Sequence, residues 1–401
     1  MHSQIDLDAK AIGAGFEPTR PIFDLSREGK DVLDALMLRT PSVQDAFESL
    51  KERIVLPKSA EPRIEGRFYR LPNHNRSFCY GLPQSGSLAE APVIVFKGAE
   101  PLLGDFQRMI DWMSQAPLRK STRVMVDHFP LSEGKIPGVM SRKEAIREAE
   151  VALDVQRKHL QHYGELARVP CPLLIHSVSE ERRAACAAIL RGKLSSSAFD
   201  RIEPLLQDGI AVYAYYYPAP PIRANFLGDM GAPEFRTLLE RVPSRNDTVT
   251  GWARLIARLF YLGYLPCSVR SEGLGACMDF GNAALDGGFC DPDSIVTIEP
   301  GMDDEFFRES AIRSLLTFQD TVQMTFGMSP SALYQNIEKF VFRQYILHLM
   351  NAAFASEGRP ALVLDGRLSK ILSPQSFEDV ALCIGRKKRF QAYAQYTKHT
   401  T

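Results

Sequence analysis

The sequence has no excess of charge, since 48 lysine and arginine residues balance 48 aspartate and glutamate residues. A protein dedicated to nucleic acid needs a basic surface that neutralises phosphates, so this balance argues against that class of partner. No apolar run reaches the roughly 18 residues that a membrane-spanning helix requires. We therefore expect neither nucleic acid nor a membrane among the partners.

Disulfide and metal signatures are also missing. The seven cysteines are scattered and none forms a Cys-x-x-Cys pair, which argues against a disulfide framework and a structural zinc site. Residues 1–10 contain acidic side chains and no apolar core, so a secretory signal is not expected. Neither a Walker A motif nor a Gly-x-Ser-x-Gly elbow occurs. This combination predicts a reduced, cytoplasmic compartment.

The sequence pattern changes along the chain from β-type to helical. Residues 61–217 are rich in β-type runs, prolines cluster at 218–221, and helical patterns dominate afterwards. This order predicts an α+β, two-lobed, protein-kinase-like fold. We expect an N-terminal extension at 1–60, a β-rich N-lobe at 61–217 and a mainly helical C-lobe at 218–401.

Hydrophobic periodicity predicts the individual elements. They are helices at 29–38 and 43–53, a hairpin within 66–82, a strand at 93–96, a helix at 141–163, strands at 172–175 and 210–217, a helix beginning at Asp247 or Thr248, a strand at 295–298, and helices at 304–326 and 331–355. The helix at 141–163 begins with a capping box. Its predicted apolar stripe is Ile146, Ala149, Leu153 and Leu160.

Lys97 stands at the end of the buried strand, where its charge requires a partner. A kinase-type nucleotide site places a lysine on its third strand, and a helix glutamate holds that lysine. The helix at 141–163 offers Glu144, Glu148 and Glu150 for this role. The alternative interpretation is a surface lysine at a strand end.

A second candidate constellation lies in the glycine-rich stretch that ends at Ser294. Asn282 and Asp291 are nine residues apart and flank a predicted turn at 285–289. Amide and carboxylate oxygens at the base of one turn can meet at a Mg²⁺ ion, with nucleotide phosphates completing the shell. Asp293 could replace or assist Asp291. The alternative interpretation is a polar turn between strands.

Several short segments, in the same order, resemble the selenoprotein O family of pseudokinases. Lys97-Gly-Ala-Glu-Pro101 is similar to the family's KGAGxTP segment, and Ile146-Arg-Glu148 is similar to its SIREFL segment. The stretch at 221–226 is similar to SHIRFGTFE, and the residues at 282 and 291 keep the spacing of NMSILGLTID. These matches cover residues 95–295.

The resemblance implies a role for each matched position. Lys97 would bind nucleotide phosphates with Glu148 as its partner, and Arg223 would contact the nucleotide. Asn282 and Asp291 would be the metal ligands. The implied cofactors are ATP and Mg²⁺, and the implied reaction is transfer of AMP to protein hydroxyl groups.

The sequence departs from the family at the catalytic base. Gly281 stands where the family has an aspartate directly before the asparagine, and Asp279 is the nearest carboxylate. Asp279 is therefore the candidate that would orient or deprotonate the acceptor. Phosphate transfer and a small-molecule acceptor stay open. The alternatives are an inactive nucleotide-binding pseudokinase that regulates or scaffolds a partner, and an α+β scaffold that binds no nucleotide.

Overall fold

The structure is a computed structural model. It describes residues 21–52, 63–65, 67–71, 77–82, 91–99, 134–224, 242–266, 282–299 and 301–303, together with single positions or pairs between 110 and 131, at 238 and 240, and between 306 and 325. The chain divides into two compact units. The first consists of residues 1–222 and 226–242, and the second of residues 223–225 and 243–401.

A mixed α+β arrangement forms the first unit, as predicted at the level of fold class. Its described strands build one antiparallel sheet in the order β1-β7-β8-β5-β4-β3-β2, and β6 pairs with β8. The strands are β1 Phe23–Asp24, β2 Arg63–Glu65, β3 Phe68–Arg70, β4 Ser77–Gly81, β5 Val93–Lys97, β6 Met140–Ser141, β7 Cys171–Ser177 and β8 Ile210–Tyr217.

Serine caps begin the longer helices of this unit. Ser141, Ser179 and Ser195 each accept the backbone N–H three residues ahead, which satisfies a donor that a helix start leaves open. The helices are α1 Leu25–Glu28, α2 Lys30–Arg39, α3 Ser42–Glu52, α4 Arg142–Tyr163, α5 Glu180–Lys193 and α6 Ser196–Asp208.

The core is centred on strands β5 and β8, which are buried along their full length. Both faces of the sheet are therefore covered at its middle. Phe78 of β4 and Phe96 of β5 stack with ring centroids 4.9 Å apart. The cysteines that the described ranges contain are all buried: Cys79, Cys171, Cys186 and Cys290.

The described part of the predicted N-terminal extension is built into this sheet. Strand β1 pairs with β7, with Phe23 opposite Ile175 and Asp24 opposite Leu174. Helices α2 and α3 match the predicted helices to within one or two residues. The C-terminal end of α3 is held by His176, whose Nε2–H donates to the Leu50 carbonyl oxygen at 3.1 Å.

Stability should fall on acidification because of His176. Burial lowers its pKa below the ordinary value, although the hydrogen bond to Leu50 and the Asp24 charge oppose that shift. The unfolded chain then binds the extra proton more readily than the folded chain. The stabilisation linked to neutral His176 is therefore complete above the ordinary pKa of histidine. It is lost as the pH falls towards the lower pKa that His176 has in the folded protein.

Urea unfolding of the wild type and of His176→Gln at about pH 7.5 and pH 5.5 measures this contribution. Glutamine keeps a donor for the Leu50 carbonyl but does not titrate. The variant should lose less stability than the wild type between the two pH values. Equal losses in both proteins would show that His176 is not responsible.

The second unit contains helix α7, Arg245–Tyr261, and a two-stranded sheet of β9 Tyr264–Leu265 and β10 Val296–Thr297. The cap predicted at Asp247 or Thr248 is wrong. Ser244 is the cap: its hydroxyl accepts the Asp247 N–H at 3.3 Å and donates to the Asp247 carboxylate at 2.6 Å. The acidic residue therefore stands inside the first turn, where the helix dipole favours it.

The long helix predicted at 304–326 agrees with the positions described there. The described positions 306–307, 310–311, 314, 318, 321–322 and 325 are helical. Their buried apolar side chains are Phe307, Ala311, Phe318 and Val322. The helix predicted at 331–355 lies outside the described residues. No helix within the described ranges is long and apolar enough to cross a lipid bilayer.

Candidate functional site: a buried lysine–glutamate pair and a polar hairpin

Lys97 is the last residue of β5 and one of the largest fully buried side chains described. In the sheet it lies between Ser77 of β4 and Tyr213 of β8. Its Nζ lies 2.6 Å from Glu148 Oε2 of helix α4. The side chains of Lys97 and Glu148 are 2% and 0% exposed, so the pair is removed from solvent. The pairing inferred from the sequence is present, whereas its role in binding a nucleotide remains a prediction.

The register of helix α4 explains why Glu148 is the partner. Glu148 lies on the buried face, next to Ala145 and Ala152. Glu144 lies in the first turn, half-buried, with its carboxylate 3.8 Å from another lysine, Lys135. Glu150 is exposed. Of the three glutamates considered, only Glu148 therefore points towards the sheet.

Polar residues occupy more of the buried face of helix α4 than the sequence pattern indicated. Of the predicted stripe, Ala149 and Leu153 are buried, whereas Ile146 and Leu160 are only half-buried. Gln156 is buried because its amide bridges the loop ahead of β7: Nε2 donates to the Val169 carbonyl at 2.9 Å, and Oε1 accepts the Ala167 N–H at 2.8 Å. Helix α4 is thus fastened to the loop that leads into β7.

The backbone turns sharply directly after Lys97. Gly98 has a φ of +79°, a conformation that residues with a side chain rarely adopt. A Cβ at this position would lie 2.6 Å from Met140 Cβ and 2.7 Å from the Ala211 carbonyl oxygen. Glycine is therefore required here both for its conformation and for the space.

The predicted turn of the second unit is a tight hairpin. Ala283 pairs with Phe289, the Asn282 carbonyl accepts the Cys290 N–H at 2.8 Å, and the Ala284 N–H donates to the Gly288 carbonyl at 2.8 Å. These bonds place Asn282 and the residue that follows Cys290, namely Asp291, at the same open end. Both side chains are buried, at 9% and 5% exposure.

Arg223 joins the hairpin as a further paired segment. It forms a bridge with Ala284, and the neighbouring Ala224 N–H donates to the Ala283 carbonyl at 2.8 Å. The Arg223 guanidinium acts on the Cys290 thiol through its charge and a hydrogen bond. The structure thus gathers Arg223, Asn282 and Asp291 around one hairpin, although Arg223 is far from the other two in sequence.

Cys290 remains a protonated thiol within this cluster. Burial raises its pKa to about 12, the Arg223 charge opposes the shift, and the charges of Asp286 and Asp291 reinforce it. A thiol with such a pKa supplies almost no thiolate at neutral pH. Cys290 is buried next to the open end of the hairpin.

Helix α7 supports the hairpin with hydrogen bonds that the sequence pattern did not reveal. The Trp252 indole N–H donates to the Ala284 carbonyl at 2.7 Å, and the Thr248 hydroxyl donates to the Leu285 carbonyl at 2.8 Å. A Cβ at Gly251 would lie only 2.9 Å from Gly287 Cα. A buried indole N–H usually needs an acceptor, and that need was the signal available in the sequence.

Trp252→Phe should loosen the hairpin. The substitution removes the donor to the Ala284 carbonyl and leaves a gap in the core, which we expect to lower the free energy of unfolding by about 1–3 kcal/mol. Hydrogen exchange of the Cys290 N–H, which bonds across the hairpin, should become about tenfold faster. Arg254→Ala, an exposed change on the same helix, is the control. Equal exchange rates in both variants would contradict this role of Trp252.

The donors at the open end of the hairpin suit a hard divalent cation. Asn282 and Asp291 offer an amide and a carboxylate oxygen, and Asp293 follows in a short 3₁₀ turn. Mg²⁺ in nucleotide sites takes one or two such protein ligands together with phosphate oxygens and water. In the described ranges, no group of three or more His, Cys, Asp and Glu side chains could hold a metal ion.

Asp279, the predicted acceptor-orienting carboxylate, lies outside the described residues, as does Gly281. Comparison of the chain with protein-family models, with curated proteins and with solved structures finds no match.

Proposed function

We propose that the protein is an ATP- and Mg²⁺-dependent transferase with a two-lobed, protein-kinase-like fold of the selenoprotein O type. It would transfer AMP or phosphate to a protein hydroxyl group or to a small-molecule acceptor. The observation that carries the proposal is the buried contact of 2.6 Å between Lys97 Nζ and Glu148 Oε2. A lysine–glutamate pair between a strand and the next long helix is the pair that organises phosphate binding in kinases.

The order of elements in the first unit supports this interpretation. Strands β2, β3, β4 and β5 follow one another as antiparallel neighbours, and Lys97 ends the last of them. Among the described elements, strand β6 and helix α4 with Glu148 follow β5, and helices α5 and α6 lie between β7 and β8, which pairs with β5. Protein kinases also carry the phosphate-binding lysine on a strand and its glutamate on a helix that comes later in the chain.

The energetics of the pair give a second reason. Removing two charges from water costs several kcal/mol per ion, so a buried ion pair is weak evidence for stability. Apolar side chains of similar volume would serve the core at least as well. A functional requirement for a fixed, charged ammonium group at the end of β5 would account for the presence of this ion pair. A phosphate is a ligand that such a group would bind.

Each remaining residue has a role in the proposal. Lys97, oriented by Glu148, would neutralise phosphate oxygens, and Arg223 would add a second cation. Asn282 and Asp291 would hold Mg²⁺, which would supply positive charge to the phosphate groups when bound. Asp279 would orient or deprotonate the hydroxyl group of the acceptor.

Incubation with Mg²⁺ and ATP labelled at the α- or the γ-phosphate tests the proposal. Label from the α-phosphate on protein or on a small molecule means AMP transfer, and label from the γ-phosphate means phosphate transfer. Lys97→Ala and Asp291→Ala should each reduce transfer by at least about 100-fold. Lys193→Ala, a change of an exposed lysine, should leave it unchanged. Full activity in both site variants would refute the assignment.

The second candidate is a nucleotide-binding pseudokinase that regulates or scaffolds a partner. The glycine at position 281, where the family has its proposed base, favours it. Such a protein would be stabilised by Mg²⁺ and ATP in a thermal unfolding experiment but would transfer neither label. Absence of both stabilisation and transfer would instead indicate a scaffold that binds no nucleotide.

A further inference from the structure

Helix α4, which carries Glu148, is contacted along one side by the residues from Ile22 to Thr40, here called the N-terminal segment. The segment enters the unit through the sheet: the Ile22 N–H donates to the Ile175 carbonyl at 2.9 Å, and β1 continues the pairing with β7. The segment is therefore anchored independently of α4. It then runs as α1 and α2, and α2 packs against α4.

Gly29 lies close to helix α4. A Cβ added there would lie 2.6 Å from Leu153 Cδ1 and 2.9 Å from Leu25 Cδ1. Helix α2 adds the buried side chains of Val32, Leu33 and Leu36. A larger residue at position 29 would thus press on the Leu153 side chain of α4, whose end must move to make room.

Polar contacts extend this interface towards the end of α4. The Arg157 guanidinium donates to the Glu28 carbonyl at 2.6 Å and lies 3.6 Å from the Asp31 carboxylate. Arg39 donates to the carbonyl of Gly164, which caps α4, at 2.5 Å. The segment therefore contacts α4 at Leu153 near its middle, at Arg157 about one turn further along, and at Gly164 at its C-terminus.

The geometry of the helix connects these contacts to Glu148. Leu153 follows Glu148 by little more than one helical turn, so the two residues move together when the helix shifts as a rigid rod. A displacement of about 1 Å would take the Lys97–Glu148 contact beyond hydrogen-bonding distance. The loop clasped by Gln156 holds α4 from another direction, so a weakened segment can let the helix shift without unfolding the unit.

We propose that the N-terminal segment is a positioning element that holds helix α4 in the register in which Glu148 meets Lys97. Gly29 and Asp31 are positioning residues that act through α4 on that pair. The consequence for nucleotide binding rests on the proposed function, whereas the effect on the pair itself does not. Displacement of the segment by a partner or by a modification would then control the availability of the Lys97 ammonium group.

Acylation of lysines by an N-hydroxysuccinimide ester of acetic acid, quantified peptide by peptide by mass spectrometry, reports directly on Lys97. The exposed Lys193 serves as the internal reference. In the wild type, Lys97 should react slowly because it is buried and paired. Gly29→Leu should raise its rate at least about tenfold relative to the reference, because overpacking forces the helices apart. The matched control is Gly192→Leu, since a Cβ at Gly192 meets nothing within 4 Å.

If Gly29→Leu fails to fold, two charge-reversal variants with smaller expected effects still test the proposal. Asp31→Arg places like charges opposite each other at Arg157 and should raise the Lys97 rate about two- to fivefold. Asp34→Arg makes the same change of charge at an exposed position of the same helix and should leave the rate unaltered. An unchanged Lys97 rate in every folded segment variant would overturn the inference.

Combination with Glu148→Gln separates positioning from general loosening. If the segment acts through the pair, Asp31→Arg should add little to the Lys97 rate once Glu148→Gln has weakened it, because effects on one contact are not additive. An undiminished additional increase would mean that the segment acts elsewhere, and would also overturn the inference.

The same assay keeps this inference distinct from the proposed function. No nucleotide is needed for the segment variants, and protection of wild-type Lys97 by Mg²⁺ and ATP is measured separately. Faster labelling in the variants without protection by ATP would support the positioning role and count against the nucleotide site. Protection of wild-type Lys97 by Mg²⁺ and ATP, together with unchanged Lys97 labelling in the segment variants, would support the nucleotide site and count against the positioning role.

Discussion

Replacing Glu148 by alanine is expected to lower the free energy of unfolding by about 3–5 kcal/mol, because it leaves the Lys97 ammonium group buried without its counter-charge. Both side chains are almost completely removed from water, so solvent cannot replace the lost partner. Urea unfolding of the wild type and of Glu148→Ala at neutral pH measures the effect. Glu150→Ala, an exposed change on the same helix, should cost less than about 0.5 kcal/mol.

The double variant Lys97→Met/Glu148→Leu provides the complementary result. Exchange of both members of a buried ion pair for apolar residues of similar volume is often neutral or stabilising. We expect the double variant to unfold at a urea concentration close to that of the wild type. If it is as unstable as Glu148→Ala, the contacts of the pair with its surroundings, rather than an unpaired charge, dominate the cost.

Among the described glycines of the first unit, Gly98 is the one whose replacement by alanine should lower the free energy of unfolding most. The backbone there has a φ of +79°, which costs an alanine roughly 1–2 kcal/mol. The new Cβ would also meet Met140 Cβ at 2.6 Å and the Ala211 carbonyl oxygen at 2.7 Å. Because strands β6 and β8 supply these atoms, they cannot yield as a flexible side chain would. We expect a total loss of about 3–4 kcal/mol, measured by urea unfolding.

Gly134→Ala separates the two causes. Gly134 has a φ of +62°, but a Cβ there would meet nothing within 4 Å. The control should therefore lose only the conformational part, about 1 kcal/mol. Similar losses in the two variants would show that the close contacts at Gly98 relax, and would contradict the tight turn inferred after Lys97.

Charge and burial predicted from the sequence that Lys97 has a carboxylate partner, but they did not select which one. A lysine at the end of an apolar strand needs a carboxylate, and Glu148 was selected among three candidates by the family resemblance. The helix pattern alone predicted a stripe of Ile146, Ala149, Leu153 and Leu160, of which Ala149 and Leu153 are buried and Ile146 and Leu160 only half-buried. The true face contains Glu148 and Gln156, which are buried because each has a buried partner. A pattern of apolar residues cannot reveal such partners.

Contacts between segments far apart in the chain were the least predictable. Strand β1 has two residues, too few for a period to show, and its pairing with β7 depends on tertiary structure. The hairpin was predicted from its turn residues, but the support from Thr248 and Trp252 was not, because it joins side chains to backbone carbonyls. Arg223 was singled out by resemblance alone, and its place beside Cys290 follows from pairing with Ala284.

The most direct test of the central claim is a calorimetric titration of Mg²⁺ and ATP into the wild type and into Lys97→Met/Glu148→Leu. The double variant should keep its fold, so a loss of binding cannot be attributed to unfolding. We predict saturable binding to the wild type and an affinity at least about tenfold weaker in the double variant. Equal affinities, or no binding to the wild type, would contradict the proposal that the Lys97–Glu148 pair serves a nucleotide.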